Sequence, residues 1–353
     1  MLQWNKIKFT LTEGDFNLKK YGVMVIGCGH IGCEHLADIY YRDNIRICAV
    51  VDTDEKAAET AARKYGAEAF GTDYNTFISN EDIDIVIAAT YVHSHFEIVK
   101  ACIEHGKHVL CEKPVATTAE EGKRFFELVK SASVKVQVAY ILRHNKTYMK
   151  AAELIKSGEI GELRAIRMAH NHNADNWHRF YNLLSDCMPV VDCGVHYFDV
   201  AAWFTGSDIK EIAGTGTLLD DDAPKLNYNI VNFKTVSGCL CIYEVAWGKN
   251  VASRNLKEFI GTKGRIELKF SALRGDSFTE GDLISVYKNS TDSYESINIK
   301  SSYKDMYAQL ESLINSIENN TETTPSLEAV EKSFNTAIAA EKAILTGERI
   351  LLS

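Results

Sequence analysis

Short apolar runs alternate with segments of helical composition between Tyr21 and Tyr140. The runs at residues 23–26, 45–51, 83–89, 109–111 and 134–139 read as strands, and several are apolar on both alternating faces, as in a sheet covered on both sides. Residues 54–65, 96–105 and 119–131 read as helices, the last opening on a capping box formed by Thr118 and Glu121. Such alternation predicts a parallel sheet wound with helices.

Beyond Tyr140 the pattern changes. A helix over 146–156 and a turn at 158–161 lead to a strand over 163–170, then a helix from about 190 to 204. Strand-like runs follow at 209–218, 228–234, 238–246, 258–261, 265–270 and 283–287, before two closing helices over 306–318 and 327–345. The second half therefore predicts an α+β domain on an open, mostly antiparallel sheet with helices on one face. The division is an N-terminal extension over 1–20, a first domain over 21–140 and a second over 141–353. Alternation at Ile7, Phe9 and Leu11 suggests an extra edge strand in the extension.

A length of 353 residues agrees with two domains, and 46% hydrophobic and 25% charged residues exclude disorder and low-complexity filaments. With 39 Lys and Arg against 48 Asp and Glu, the net charge of −9 repels polyanions, so neither nucleic acid nor an anionic membrane surface is expected as a partner. None of the nine cysteines forms a C-x-x-C pair, which fits a reduced, cytoplasmic protein. Neither an apolar leader nor a span of about 18 uncharged apolar residues is present, so no export and no membrane crossing are expected.

Chemistry enters at Gly27-Cys28-Gly29-His30-Ile31-Gly32, which directly follows the first strand and opens a helix. In that setting Gly27 permits the turn, Gly29 admits a pyrophosphate close to the backbone, and Gly32 lets helix and strand pack. The next strand ends in Asp52, twenty residues after Gly32, where a carboxylate accepts from the adenosine ribose hydroxyls. A 2′-phosphate would meet Asp52 and Asp54, so the expected cofactor is NAD rather than NADP.

Two further segments complete the picture. Glu112-Lys113-Pro114 sets a lysine just past the carboxyl end of a strand, where open α/β sheets bind ligands. On a continuous helix Asp192, His196 and Asp199 would share one face, with Val191, Val195, Phe198 and Ala202 forming a separate apolar stripe.

With these residues in place the chain resembles the Gfo/Idh/MocA family of sugar and cyclitol oxidoreductases from Tyr21 onward. The resemblance is carried by Gly27 to Gly32, by Ala89-Thr90 followed by His95, by residues 105–114 ending in Glu112-Lys113-Pro114, by Asp192 with His196, and by residues 261–267. It implies an N-terminal Rossmann domain, a C-terminal open-sheet domain that commonly forms dimers or tetramers, and hydride transfer between nicotinamide and a carbohydrate carbon. It places Lys113 on the catalytic lysine, Asp192 on the substrate-binding acid and His196 on the proton-transfer histidine. Thr90, His95, Glu112 and Lys113 join the glycine motif and Asp52 around the cofactor.

The chemistry agrees. Removing a hydroxyl proton as hydride leaves the same carbon needs a base, for which His196 serves, while Lys113 stabilises the developing alkoxide and Asp192 orients the imidazole or binds a neighbouring hydroxyl. The plainer readings are an exposed loop cation for Lys113 and a helix residue paired to Asp192 for His196.

Two features depart from the family pattern: Tyr91 stands where many relatives have proline, and residues 185–191 replace a glycine-rich stretch. A polar cluster holds His170, His172, Trp177 and His178. On a strand His170 and His172 point the same way, half of a metal site, but no third ligand at zinc-like spacing follows, so no metal is expected. The cluster is read instead as the wall of a substrate pocket, joined by Tyr140 and Arg143.

The leading expectation is an NAD-dependent dehydrogenase of a sugar, sugar acid or cyclitol. A redox-neutral glycosidase or sugar isomerase or hydratase, including the anhydro-sialic acid type, would use the same residues and return the hydride. A non-catalytic NAD-sensing regulator would not need Lys113, Asp192 and His196. A homodimer or homotetramer joined through the C-terminal sheet is expected, because helices on one face leave the other open.

Overall fold

The computed structural model describes residues 20–270, 281–300 and 304–352. The extension, including the edge strand suggested for it, lies almost wholly outside the described residues.

The first sheet is parallel, with the order β3-β2-β1-β4-β5-β6. Its strands are β1 (Tyr21–Ile26), β2 (Ile45–Val51), β3 (Ala69–Gly71), β4 (Ile85–Ala88), β5 (His108–Cys111) and β6 (Val136–Val138). The helices between them are α1 (His30–Ile39), α2 (Glu55–Tyr65), α3 (His95–Glu104) and α4 (Ala119–Lys130). Every residue of β1 and β4 is buried, because helices cover both faces. β1 pairs with both β2 and β4, so the strand order reverses there and opens a crevice at the carboxyl ends. At α4 the Thr118 Oγ1 accepts from the Glu121 N–H at 3.2 Å, while the Glu121 carboxylate reaches Thr117 rather than Thr118.

The second sheet has nine strands in the order β14-β13-β12-β11-β7-β10-β9-β8-β15. These are β7 (Leu163–Asn173), β8 (Ile209–Thr217), β9 (Tyr228–Thr235), β10 (Leu240–Gly248), β11 (Arg254–Gly261), β12 (Gly264–Lys269), β13 (Asp282–Lys288), β14 (Ser293–Ile299) and β15 (Ile350–Leu351). The β7–β10 contact is parallel and the other neighbouring pairs are antiparallel. Helices α5 (Lys146–Lys156), α6 (Trp177–Asp186), α7 (Pro189–Asp192), α8 (Gly194–Thr205) and α10 (Leu327–Thr346) accompany it. Alternation on β10 shows the two faces: Cys241, Tyr243 and Val245 are buried under helices, whereas Leu240 and Ile242 are 49% and 41% exposed.

The chain returns to the first sheet near its end. Helix α9 (Met306–Glu318) buries Leu310, Leu313 and Ile314 in one apolar cluster with Tyr21, Val23, Val25, Leu36 and Ile39. The Gln137 amide donates to the Gln309 carbonyl at 2.8 Å, and Tyr21 Oη donates to Glu318 at 2.9 Å. A division at residue 140 does not anticipate this return.

The continuous helix expected from about 190 to 204 is broken. α7 stops at Asp192 and α8 starts at Gly194. The His196 N–H bonds to the Cys193 carbonyl at 3.1 Å, and the Asp192 carbonyl that a continuous helix would have offered it accepts from Lys113 Nζ at 3.2 Å. The shared face of Asp192, His196 and Asp199 is lost with it, and Asp199 turns to Arg143.

Candidate active site

The glycine turn lies in the crevice between β1 and β4. Gly27 has φ of +97°, a conformation side chains disfavour, and a Cβ there would stand 2.4 Å from the Ala89 carbonyl oxygen. A Cβ on Gly32 would stand 1.8 Å from the Gly27 carbonyl oxygen, so α1 touches the turn that precedes it. A Cβ on Gly29 would meet nothing within 4 Å, which leaves open space in front of the α1 N-terminus, where a diphosphate fits. Asp52 Oδ2 accepts from the Cys28 N–H at 2.7 Å and Oδ1 from the Asp54 N–H at 2.9 Å, so the carboxylate also fastens the turn. His30 is turned to Glu34 at 3.2 Å, and Ile31 is half-buried on the first turn of α1.

The loops after β4 and β5 form the next wall. His95 is buried and bridges them, with Nε2 3.1 Å from the Thr90 carbonyl and Nδ1 3.0 Å from the Pro114 carbonyl. It therefore sets where the loops stand. Burial lowers its pKa against those two bonds. The Thr90 hydroxyl accepts from Ser94 Oγ at 2.7 Å.

Lys113 reaches from β5 to the second sheet's helices. Its Nζ is 2.8 Å from Asp192 Oδ2, and the Cys193 thiol donates to the same oxygen at 3.5 Å. Burial opposes the Lys113 charge, but Asp192 beside it more than compensates and raises the pKa. The ammonium is thus held charged. His196 lies one turn into α8, its ring edge-on to Tyr140 at 5.5 Å. Burial, followed by the Lys113 charge, pushes its pKa down to about 3. Its Nδ1 is buried with no partner among the described residues, which leaves Nε2 as the nitrogen able to exchange a proton.

β7 runs three residues further than its apolar pattern predicts and carries His170 and His172 beneath this pair. Their Nε2 atoms are 3.1 Å apart, and His170 lies against Tyr197 with ring centroids 5.3 Å apart. Burial holds both imidazoles below their ordinary pKa, with His172 adding to the effect on His170. Among the described residues no three His, Cys, Asp or Glu side chains converge as a metal site.

Other residues of the predicted pocket stand apart from Lys113. Tyr140 Oη bonds Ser333 Oγ at 2.9 Å, so only its ring faces His196. Arg143 makes a two-pronged bond to buried Asp199 at 2.7 and 2.8 Å and stacks on Trp203. Trp177 Nε1 donates to Asp222 at 2.9 Å, while His178 is exposed beside Asn182. Sequence reasoning missed His35, which bonds Glu112 at 2.9 Å, and fully buried Lys257, whose Nζ meets three oxygens and the Tyr197 ring. It also missed α6, although Asn176 caps it and Phe180 packs on Trp247.

A nucleotide-binding sheet, a cradle at its crevice and a buried ion pair at the junction with an open sheet define the class of dinucleotide-dependent oxidoreductases. Residues 21–140 match the model of the oxidoreductase family with an NAD-binding Rossmann fold, and residues 148–267 match the GFO/IDH/MocA C-terminal domain. The chain belongs to the GFO/IDH/MocA family.

Among its relatives, inositol 2-dehydrogenase 2 of Saccharopolyspora erythraea is 32% identical over 188 residues, 52% of this chain and 54% of that enzyme. The chain thus spans about half the length of that relative. Myo-inositol 2-dehydrogenase of Thermotoga maritima is 26% identical over 69% of this chain and 73% of its own. Among solved structures, scyllo-inositol dehydrogenase of Lactobacillus casei with bound NAD(H) and scyllo-inositol superposes with a TM-score of 0.76 at 21% identity, covering 94% of this chain and 99% of that one. Myo-inositol 2-dehydrogenase of Lactobacillus plantarum gives 0.80 at 18% identity, over 95% and 100%. These last two likenesses concern the fold.

Proposed function

We propose that this protein is an NAD-dependent dehydrogenase that oxidises a ring hydroxyl of a cyclitol. The observation that carries the reading is the Lys113–Asp192 ion pair at 2.8 Å, beside His196 and between the two sheets. NAD, when bound, supplies the hydride acceptor; Gly29, the α1 N-terminus and Asp52 would hold it. Lys113, kept cationic by Asp192, hydrogen-bonds the reacting oxygen and stabilises negative charge on it. His196 Nε2 takes the hydroxyl proton, and His170 and His172 line the floor on which the ring rests. Asp192 orients Lys113 and accepts from a neighbouring hydroxyl. The inositol dehydrogenases among the relatives support a cyclitol over an open-chain or acidic sugar.

The protein works as a homodimer or homotetramer through the exposed face of the second sheet. Its free cysteines, eight of the nine buried, fit a reducing cytoplasm. Absorbance at the NADH band on a panel of myo-inositol, scyllo-inositol, other cyclitols and aldoses tests the function, with NAD and NADP in parallel. NADH formation on a cyclitol with NAD preferred is the expected result. No net reduction on any of them by protein that binds NAD would overturn it.

A further inference from the structure

His35 takes no part in the steps above, yet it is fully buried on α1, three residues past Gly32. Its Nε2 is 2.9 Å from Glu112 Oε1, and its Nδ1 is buried with no partner among the described residues. The other Glu112 oxygen, Oε2, accepts from the Lys113 main-chain N–H at 3.3 Å. A carboxylate only accepts, so the hydrogen of the first bond lies on His35 Nε2. Burial alone would raise the Glu112 pKa, but the His35 bond and the Lys113 charge bring it below its ordinary value. The other buried residues of α1 include Gly32, Leu36 and Ile39, and apolar side chains at both position 35 and position 112 could fill this space with no buried polar atom to satisfy. A buried polar pair in such surroundings calls for a reason beyond packing.

We propose that His35 is a positioning residue: through Glu112 it fixes the main chain at Lys113, so that the helix facing the cofactor diphosphate and the lysine facing the reacting oxygen are held as one unit. The chain of contacts runs His35, Glu112, Lys113, Asp192, from the first sheet's helix to the second sheet's. This rests on the assignment of Lys113 to the reacting oxygen.

The test compares His35→Ala, His35→Gln, Glu112→Ala, the double variant of His35→Ala with Glu112→Ala, and Lys113→Ala. It reads kcat and KM on the best cyclitol of the panel and NAD affinity by calorimetry. In His35→Ala, kcat should fall ~10-fold or more while KM and the NAD Kd stay within about 3-fold. Gln, whose amide N–H reaches the same carboxylate oxygen, should restore most of the loss. The double variant should be no worse than Glu112→Ala, because both break one link. Unchanged kcat in His35→Ala, no rescue by Gln, or additive losses would each overturn the proposal. If His35→Ala does not fold, Glu112→Ala decides, and normal kcat there overturns it. Normal turnover in Lys113→Ala would remove the assignment of Lys113 and this proposal with it. Loss in Lys113→Ala with normal turnover in the other variants removes the positioning role alone.

Discussion

Asp192 holds Lys113 with two different atoms, its carboxylate Oδ2 at 2.8 Å and its main-chain carbonyl at 3.2 Å. The second contact exists because the helix breaks at Cys193 and frees that carbonyl. One residue thus fixes both the charge and the place of the lysine, and it does so across 79 positions of sequence.

The charge can be tested by pH. Burial acts against the ammonium and Asp192 is the foremost group opposing it, so Asp192→Asn should lower the Lys113 pKa. In the proposed role the ammonium is the working form, and it is lost as pH rises through its pKa. In the unaltered protein no alkaline loss from Lys113 should appear up to about pH 10, since its folded pKa lies above the ordinary lysine value. In Asp192→Asn the kcat/KM profile should bend downward at lower pH, on top of a ~10-fold or greater loss at neutrality. An alkaline limb that does not move would refute the coupling.

The glycine turn separates stability from binding. Gly29→Ala adds a methyl into open space, so thermal stability should change by less than about 1 kcal/mol while NAD affinity falls ~10-fold or more. Gly32→Ala drives a methyl into the Gly27 carbonyl and should destabilise the fold by about 2–3 kcal/mol. Equal thermal effects of the two substitutions would contradict the cradle geometry.

The buried histidines predict acid sensitivity. His95, His144, His170, His172 and His196 all have lowered pKa values, with burial the foremost cause in each. Below pH ~6.5 the unfolded chain binds protons that the folded chain refuses, so stability falls as pH falls. For His196, with a folded pKa of about 3, the loss at pH 5.5 is on the order of 1 kcal/mol. Melting temperatures between pH 7.5 and 5 should fall less steeply in His196→Asn than in the unaltered protein. Parallel curves would contradict the depressed pKa.

What the sequence made legible is local. β2 at Ile45–Val51, α5 at Lys146–Lys156 and α9 at Met306–Glu318 have the limits their apolar patterns predict, because run, period and cap sit within one stretch. β3 has three residues and β14 is largely exposed, so neither has an apolar run to find. For α6 the Asn176 cap and the spacing of Trp177, Phe180 and Leu184 were the available signal, masked by the polar residues between them. Pro189 opens the first segment of the broken helix and Gly194 the second, and the two likewise marked the break. Lys113, Asp192 and His196 were singled out through motifs, but the His35–Glu112 and Arg143–Asp199 pairs join residues 77 and 56 positions apart. No local pattern reports such contacts.

The exposed face of the second sheet predicts assembly. Leu240 and Ile242 on β10 are exposed, and half-exposed Ile230 on β9 and Leu256 and Ile260 on β11 accompany them. On one face of the sheet these side chains form an apolar surface around Arg167 and Glu258, which pair at 2.8 Å across from Ile242. An apolar surface of this kind is rarely left to water, and the same face of a second copy would cover it with closed symmetry. The protein should therefore elute and scatter light as a dimer or tetramer at micromolar concentration. Leu240→Glu with Ile242→Lys should dissociate it, since two charges would lose hydration at the centre of the contact, while the buried Cys241 and Tyr243 on the opposite face keep the fold intact. A monomer in the unaltered protein, or an oligomer that survives both substitutions, would show that this face is not the interface.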